Sequence, residues 1–318
     1  MGGDNISGDT NKVLVIGSIG MDQITFLSEI PKFGETTRGR IKTSPGGKGN
    51  NQAIACARAG GETTFVGVVG DDYDKILKKT LEDNNITPVL KVLKNIPSHI
   101  ASILIETNGA NKVIYQPGAD DYLDINLIDK NIHLIEKAYI ILLQLEIPLK
   151  TVEYIIDICY KKQKIVILKP SPGTKLSQNI IQKVSYLIPN KSELSVISGL
   201  PTNDENQIDL ACQKIMNMGA QNLIVTLGQK GCILWNQDGR KEYSFYIKDI
   251  EGKVVDTTGL SGCFIGVLAA YLSNKSTLDE AIKYANLAAS ISVNNFGAID
   301  SYPNLGEINE KRQKIKNW

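Results

Sequence analysis

The chain has 318 residues, 42% of them hydrophobic, with 35 basic against 34 acidic side chains and a net charge of +1. That length and apolar content suit one large α/β domain, and the even charge gives nothing to draw nucleic acid or an anionic membrane. Five scattered cysteines (Cys56, Cys159, Cys212, Cys232, Cys263) lack zinc-ligand or redox spacing, and His99 and His133 are the only histidines, so we expect reduced thiols in a cytoplasmic protein and neither Ser-His-Asp nor multi-histidine metal chemistry.

In chain order, residues 1–11 are polar and Gly-rich and read as a disordered tail without a signal-peptide core, ahead of one domain over residues 12–318. No run of about 18 apolar residues exists, so no membrane span is expected. Lys12 to Ile19 is a β-branched apolar run and predicts a buried first strand. Asp22 falls just beyond its C-terminal end, the edge at which parallel α/β sheets bind ligands; a plain turn aspartate is the other reading. Residues 23–44 and 101–115 alternate weakly, the second around Asn108-Gly109, a hairpin signal. Two such segments outside a βαβ pattern suggest a small β-sheet lid.

Pro45-Gly46-Gly47-Lys48-Gly49-Asn50-Asn51-Gln52 forms a turn that opens a helix at Ala53 to Ala59, its glycines letting backbone approach a small polar ligand. From residue 63, strands and helices alternate: strands at Thr63–Val69, Ala138–Leu143, Ile165–Leu168, Ser185–Ile188 and Asn222–Thr226, and helices at Asp74–Asn84, Leu149–Lys162 and Gln207–Met218. Two more strands and helices at 267–273 and 279–294 follow. This alternation predicts a mostly parallel sheet with helices on both faces. Between them, Val255-Asp256-Thr257-Thr258-Gly259-Leu260-Ser261-Gly262-Cys263-Phe264-Ile265-Gly266 leads a strand-like run into an apolar helix. A turn at a helix N-terminus offers free N–H groups and the positive dipole end, a site for an anion; an ordinary loop before a core helix is the alternative.

Residues 46–53 and 256–266 resemble, in the right order, the two signatures of the ribokinase (PfkB-type) sugar kinases. The first, G-G-K-G-A-N-Q-A, differs only at Asn50. The second, D-T-T-[GA]-A-G-D-x-F-x-G, is kept at Asp256-Thr257-Thr258-Gly259, Phe264 and Gly266, but Leu260 stands for Ala, Ser261 for Gly and Gly262 for the catalytic Asp. No carboxylate follows until Asp279. The resemblance spans residues 12–305, and Phe296 to Pro303 looks like the eukaryotic ribokinase ending.

The resemblance implies a ribokinase-like fold with a β-sheet lid, ATP and D-ribose as ligands, Mg²⁺ and K⁺ as ions, and a possible homodimer through the lid. It implies that Asp22, Gly47, Asn51 and Glu146 contact sugar hydroxyls, for which carboxylate and amide are suited. Asn190, Thr226, Gly228, Gly231 and Asn286 match nucleotide-contacting positions, and Glu193 the residue that orients Mg²⁺ through water. Asp256, Thr258, Ser292, Asn295, Gly297 and Ser301 match the potassium site. Gly20 stands where bacterial members have Asn, and Lys169 stands for the Asn of N-P-A-P, close to the phosphates, able to bind an anion or to fill the nucleotide pocket. At the reaction centre, Gly259, Ser261 and Gly262 mark the anion turn and the missing base.

A positioned base contributes about 10²–10⁴-fold and one anion-hole donor about 10²–10³-fold, so both losses together amount to roughly 10⁴–10⁷-fold, or about 5–10 kcal/mol, less if the groups act as a unit. The sequence therefore reads as a pseudokinase that keeps its ligand shell. An active ribokinase with another base, and a structural partner of an active kinase, are the alternatives.

Overall fold

The structure, a computed structural model, describes residues 11–106, 111–250, 252–315 and 318. The tail at residues 1–10 and the turn Asn108-Gly109 lie outside them.

From the N-terminus, β1 (Lys12–Ile16), β2 (Gly20–Leu27), β3 (Arg40–Gly46), α1 (Lys48–Arg58), β4 (Glu62–Gly70), α2 (Asp74–Asp83) and β5 (Thr87–Leu93) come first. β6 (His99–Glu106), β7 (Asn111–Gln116), α3 (Ile125–Lys130) and α4 (Ile132–Lys137) follow. Next are β8 (Ile140–Gln144), α5 (Leu149–Lys161), β9 (Ile165–Lys169), α6 (Gln178–Ile181), β10 (Tyr186–Leu187), α7 (Lys191–Ser198), α8 (Glu205–Asn217) and β11 (Leu223–Thr226). The chain closes with β12 (Cys232–Asn236), β13 (Gly239–Tyr243), α9 (Leu260–Ser273), α10 (Leu278–Ser292) and α11 (Leu305–Gln313).

Nine strands form one sheet in the order β13-β12-β11-β10-β9-β8-β1-β4-β5, parallel from β11 to β5, with β12 and β13 antiparallel at one edge. Period-two alternation sends neighbouring apolar residues to opposite faces. Val13, Val15, Ile140, Leu142 and Ile167 pack in the core shared with α1, α9 and α10. Leu14, Ile16, Ile141, Leu143, Val166 and Leu168 pack in the other, with α5 and α8. Helix α9 is apolar all round because it is buried between α1 and α10.

The lid is a separate sheet in the order β3-β2-β6-β7, with β2 and β6 parallel and both outer pairs antiparallel. Its register sorts its two faces. Asp22, Ala101 and Tyr115 form one row, and Ile24, Ile103 and Val113 the next row of that side. Ile41 and Ile114 belong to rows of the opposite side and are 66% and 67% exposed. Among the described residues no helix is long and apolar enough to cross a membrane.

Two helix starts and one strand differ from the sequence reading. Helix α1 begins at Lys48 rather than Ala53, and α9 at Leu260 rather than Val267, so the second half of each Gly-rich stretch is the first turn of a helix. Strand β5 was not anticipated: it contains Pro88 and is only partly buried, and its pairing along β4 makes it a strand.

Candidate functional site

The C-terminal edge of the large sheet and the lid enclose a cavity of about 300 Å³. Its floor is built where β1 ends. Gly47, with φ +93°, turns the chain so closely over the β1–β2 connection that a Cβ there would meet Ser18 O and Ile19 Cα at 2.9 Å. Helix α1 then starts without a side-chain cap of its own. The remote Glu146 supplies one: its Oε2 accepts from Lys48 N (3.1 Å) and from Ser18 Oγ (2.6 Å), while its Oε1 takes the Lys48 ammonium. Burial pushes the Glu146 carboxyl up, but Lys48, His99 and Ser18 outweigh it and hold the acid below its usual range.

The lid supplies the opposite wall. Asp22 faces the cavity across from Glu146, and burial, reinforced by the Glu146 charge and opposed by His99 and Lys48, lifts its carboxyl to about 6. His99 also lines the cavity, with Nδ1 2.7 Å from Asp120 Oδ2; the two side chains are 2% and 0% exposed. Burial opposes charge on the imidazole, yet the Asp120 carboxyl outweighs it, so His99 keeps its proton to higher pH than a free histidine. Tyr115 packs edge-on against His99 at 4.7 Å and donates to Glu146 O at 3.1 Å. Sequence reasoning missed the His99–Asp120 pair and the Ser18 contact. The scarcity of histidine was the one available hint.

The third wall is Thr257 to Gly262. Gly259 caps α9 with φ +80°, and its carbonyl accepts from the Tyr302 hydroxyl at 2.9 Å. A Cβ at Gly262 would lie 2.7 Å from that hydroxyl and 3.4 Å from Asn51 Cβ. A side chain at 262 would thus point between Asn51 and Tyr302, and requires the phenol to shift. Asn51 Oδ1 and Ser261 Oγ are buried here with no partner among the described residues. Among the described residues, the carboxylates lining the cavity are Asp22 and Glu146.

The sugar-contacting candidates Asp22, Gly47, Asn51 and Glu146 and the turn residues Gly259, Ser261 and Gly262 thus share one cavity. The nucleotide candidates do not line it. Asn190 pairs with Thr226 in a β-bridge, and Gly228 and Gly231 carry the tight turn after β11. Asn286 is buried within α10, its amide 3.4 Å from Cys232 Sγ. Asn190 and Glu193 form a capping box for α7: Asn190 Oδ1 accepts from Glu193 N, and Glu193 Oε2 from Asn190 N, both at 2.8 Å.

Lys169 joins the two regions. It ends β9, lines the cavity, is 3% exposed, and places Nζ 2.5 Å from Glu193 Oε2. Glu193 therefore does not suit a magnesium ion. Its carboxylate already faces an ammonium and a backbone N–H, and a second cation would be repelled by the first.

The potassium candidates meet at one junction. Asp256 accepts from Thr258 N (2.8 Å) and Gly297 N (2.9 Å), and Val255 N donates to Val293 O (2.8 Å), while Ser292 and Ser301 bond to the carbonyls of Ala289 and Ala298. Asn295 lies in the same turn. The oxygens gathered here are hard donors, and both Asp256 oxygens already accept from backbone N–H groups.

Residues 10–305 match the family described as pfkB family carbohydrate kinase. The chain is 33% identical over 301 residues to a ribokinase of Bacillus subtilis, covering 94% of this chain and 98% of that one. It is 31% identical over 302 residues to a deoxyribokinase of Salmonella typhi, covering 94% and 97%. It superposes on Arabidopsis thaliana ribokinase complexed with ribose and ATP with a TM-score of 0.86 at 29% identity, over 94% of this chain and 97% of that one.

Proposed function

This chain belongs to the pfkB carbohydrate kinase family, and from that premise we propose that it is a ribokinase-like protein that binds a pentose and a nucleotide while its phosphoryl transfer is severely impaired. The observation that carries the reading is the cavity itself, which gathers Asp22, Gly47, Asn51 and Glu146 around a Leu260-Ser261-Gly262 turn that offers no carboxylate.

Asp22 and Asn51 hold sugar hydroxyls, and Gly47 lets them close on the backbone. Glu146 fixes the start of α1 and, through Lys48, the charge of the pocket. The unpartnered Asn51 Oδ1 and Ser261 Oγ are satisfied by the ligand. The N–H groups opening α9 face an anionic group, and Asn190, Thr226, Gly228, Gly231 and Asn286 bound the region of ATP or ADP. Asp256, Thr258, Ser292, Asn295, Gly297 and Ser301 would hold a potassium ion, whose charge would favour an anion at the neighbouring turn. With Gly at 262, no group on that turn can take a proton from a sugar hydroxyl.

One observation favours a second reading, an active kinase with another base: Asp22 lies in the same cavity with its carboxyl lifted to about 6, within the range of a working general base. The exposed Ile41 and Ile114 on the outer side of the lid support a homodimer through that sheet.

Calorimetric titration with D-ribose, 2-deoxy-D-ribose and ADP, beside a ribose-dependent ADP-release assay, tests the proposal. Pentose and ADP binding with background ADP release is the expected result. Release at ordinary kinase rates, about 1–100 per second, overturns the impairment. Absence of any pentose or ADP binding overturns the ligand-binding reading and leaves the structural partner.

A further inference from the structure

Lys169 lines this cavity where the sequence resemblance places an Asn, and its two readings, binding an anion or filling the nucleotide pocket, were left open. It ends β9 directly beside Gln144 of β8, at the ligand edge of the sheet. At 3% exposure an ammonium there loses nearly all its water, and burial pulls the Lys169 amine below the usual lysine range, a shift that the paired Glu193 opposes. Among the described residues, the hydrogen bond of its ammonium runs to Glu193. An ammonium has three donors, so two point elsewhere, and the open space that Lys169 borders is the cavity closed by Thr257 to Gly262. Lys48, the other lysine there, is already bound to Glu146. Glu193 cannot swing away to release Lys169, because the capping box ties it to Asn190 N.

An ammonium with two further donors, lining the same cavity as the first turn of the 14-residue helix α9, matches the oxygens of a phosphate group. It also fills the charge role of a divalent ion at the carboxylate such an ion would use. We infer that Lys169 is the resident cation of this site, and that phosphate-bearing ligands bind here without a divalent metal. The inference rests on the proposed ligand-binding reading and adds the metal independence to it. The phosphate can belong to a nucleotide or to a phosphorylated pentose.

The test is calorimetric titration of the full chain with ADP and, separately, ribose 5-phosphate, each in EDTA and in excess Mg²⁺. The wild type is expected to bind at least one of them with a Kd that differs less than about threefold between the two conditions. Lys169→Asn is expected to weaken binding in EDTA by about tenfold or more, with Mg²⁺ restoring part of it. That variant strands a buried Glu193, so Lys169→Asn/Glu193→Gln, which leaves no unpaired charge, is measured alongside, with melting curves to confirm folding. The ligand that responds identifies the source of the phosphate. Wild-type binding that requires Mg²⁺ overturns the inference and leaves the ligand-binding reading standing. Undiminished EDTA binding in the folded variants overturns it equally. Absence of binding to either ligand under both conditions overturns the inference and the nucleotide reading together.

Discussion

Asp22 illustrates how a proposed binding residue is held against stability. Its carboxyl is raised from 3.8 to about 6 in the folded chain, chiefly by burial. The folded state therefore binds this proton more tightly than the unfolded chain. The stability it contributes is complete below about pH 4 and is lost as the pH rises through about 6, leaving an ionised carboxylate held at an expense of about 1–3 kcal/mol at neutral pH. Asp22→Asn should raise the melting temperature more at pH 7.5 than at pH 5 and abolish stabilisation by pentose, as read by differential scanning calorimetry. An equal shift at both pH values would contradict the assignment. At this scale much was legible: Asp22, Gly47, Asn51 and Glu146 stand in or beside motifs, and one cavity gathers them. His99 and Asp120 were not, because 21 residues separate them and only the register of β6 against β2 brings the imidazole to the cavity.

Helix α9 begins seven residues earlier than its apolar run suggests, and the reason is local. Gly259 caps it through a left-handed turn with no side-chain cap, so no Ser, Thr, Asp or Asn marks the start. Helix α1 hides its start similarly, its cap being Glu146, 98 residues away. Helix α7, by contrast, carries its boundary in Asn190 and Glu193, and the structure gives this pair a capping role that needs no ligand. A Cβ at Gly259 would meet Ala298 Cβ and the Tyr302 hydroxyl at 2.7 Å, in a backbone region that side chains rarely adopt. Gly259→Ala should therefore lower stability by about 2 kcal/mol or more in urea denaturation, through backbone strain and crowding together. A loss under about 0.5 kcal/mol would mean that the turn is free to relax.

Across the whole molecule, strand–helix alternation made the parallel sheet legible, and two weakly alternating segments made the lid legible. Strand order was not, since the position of β5 at the outer edge depends on pairing with β4 rather than on any pattern of its own. The outer side of the lid exposes Ile41 and Ile114, so the proposed homodimer should dissociate in Ile114→Glu, giving the monomer mass in analytical ultracentrifugation where the wild type gives twice that; identical masses would exclude this side as the interface. The account as a whole holds that the ligand shell survives around a reaction centre that has lost its base, and beside a lysine that has displaced the metal. Its most direct test is single-turnover ADP formation with ribose, ATP, Mg²⁺ and K⁺, comparing the wild type with Leu260→Ala/Ser261→Gly/Gly262→Asp carrying Lys169→Asn, both shown to be folded. The account predicts a rate at least about 10³-fold higher in the variant; a wild type that forms ADP as fast as the variant would contradict it.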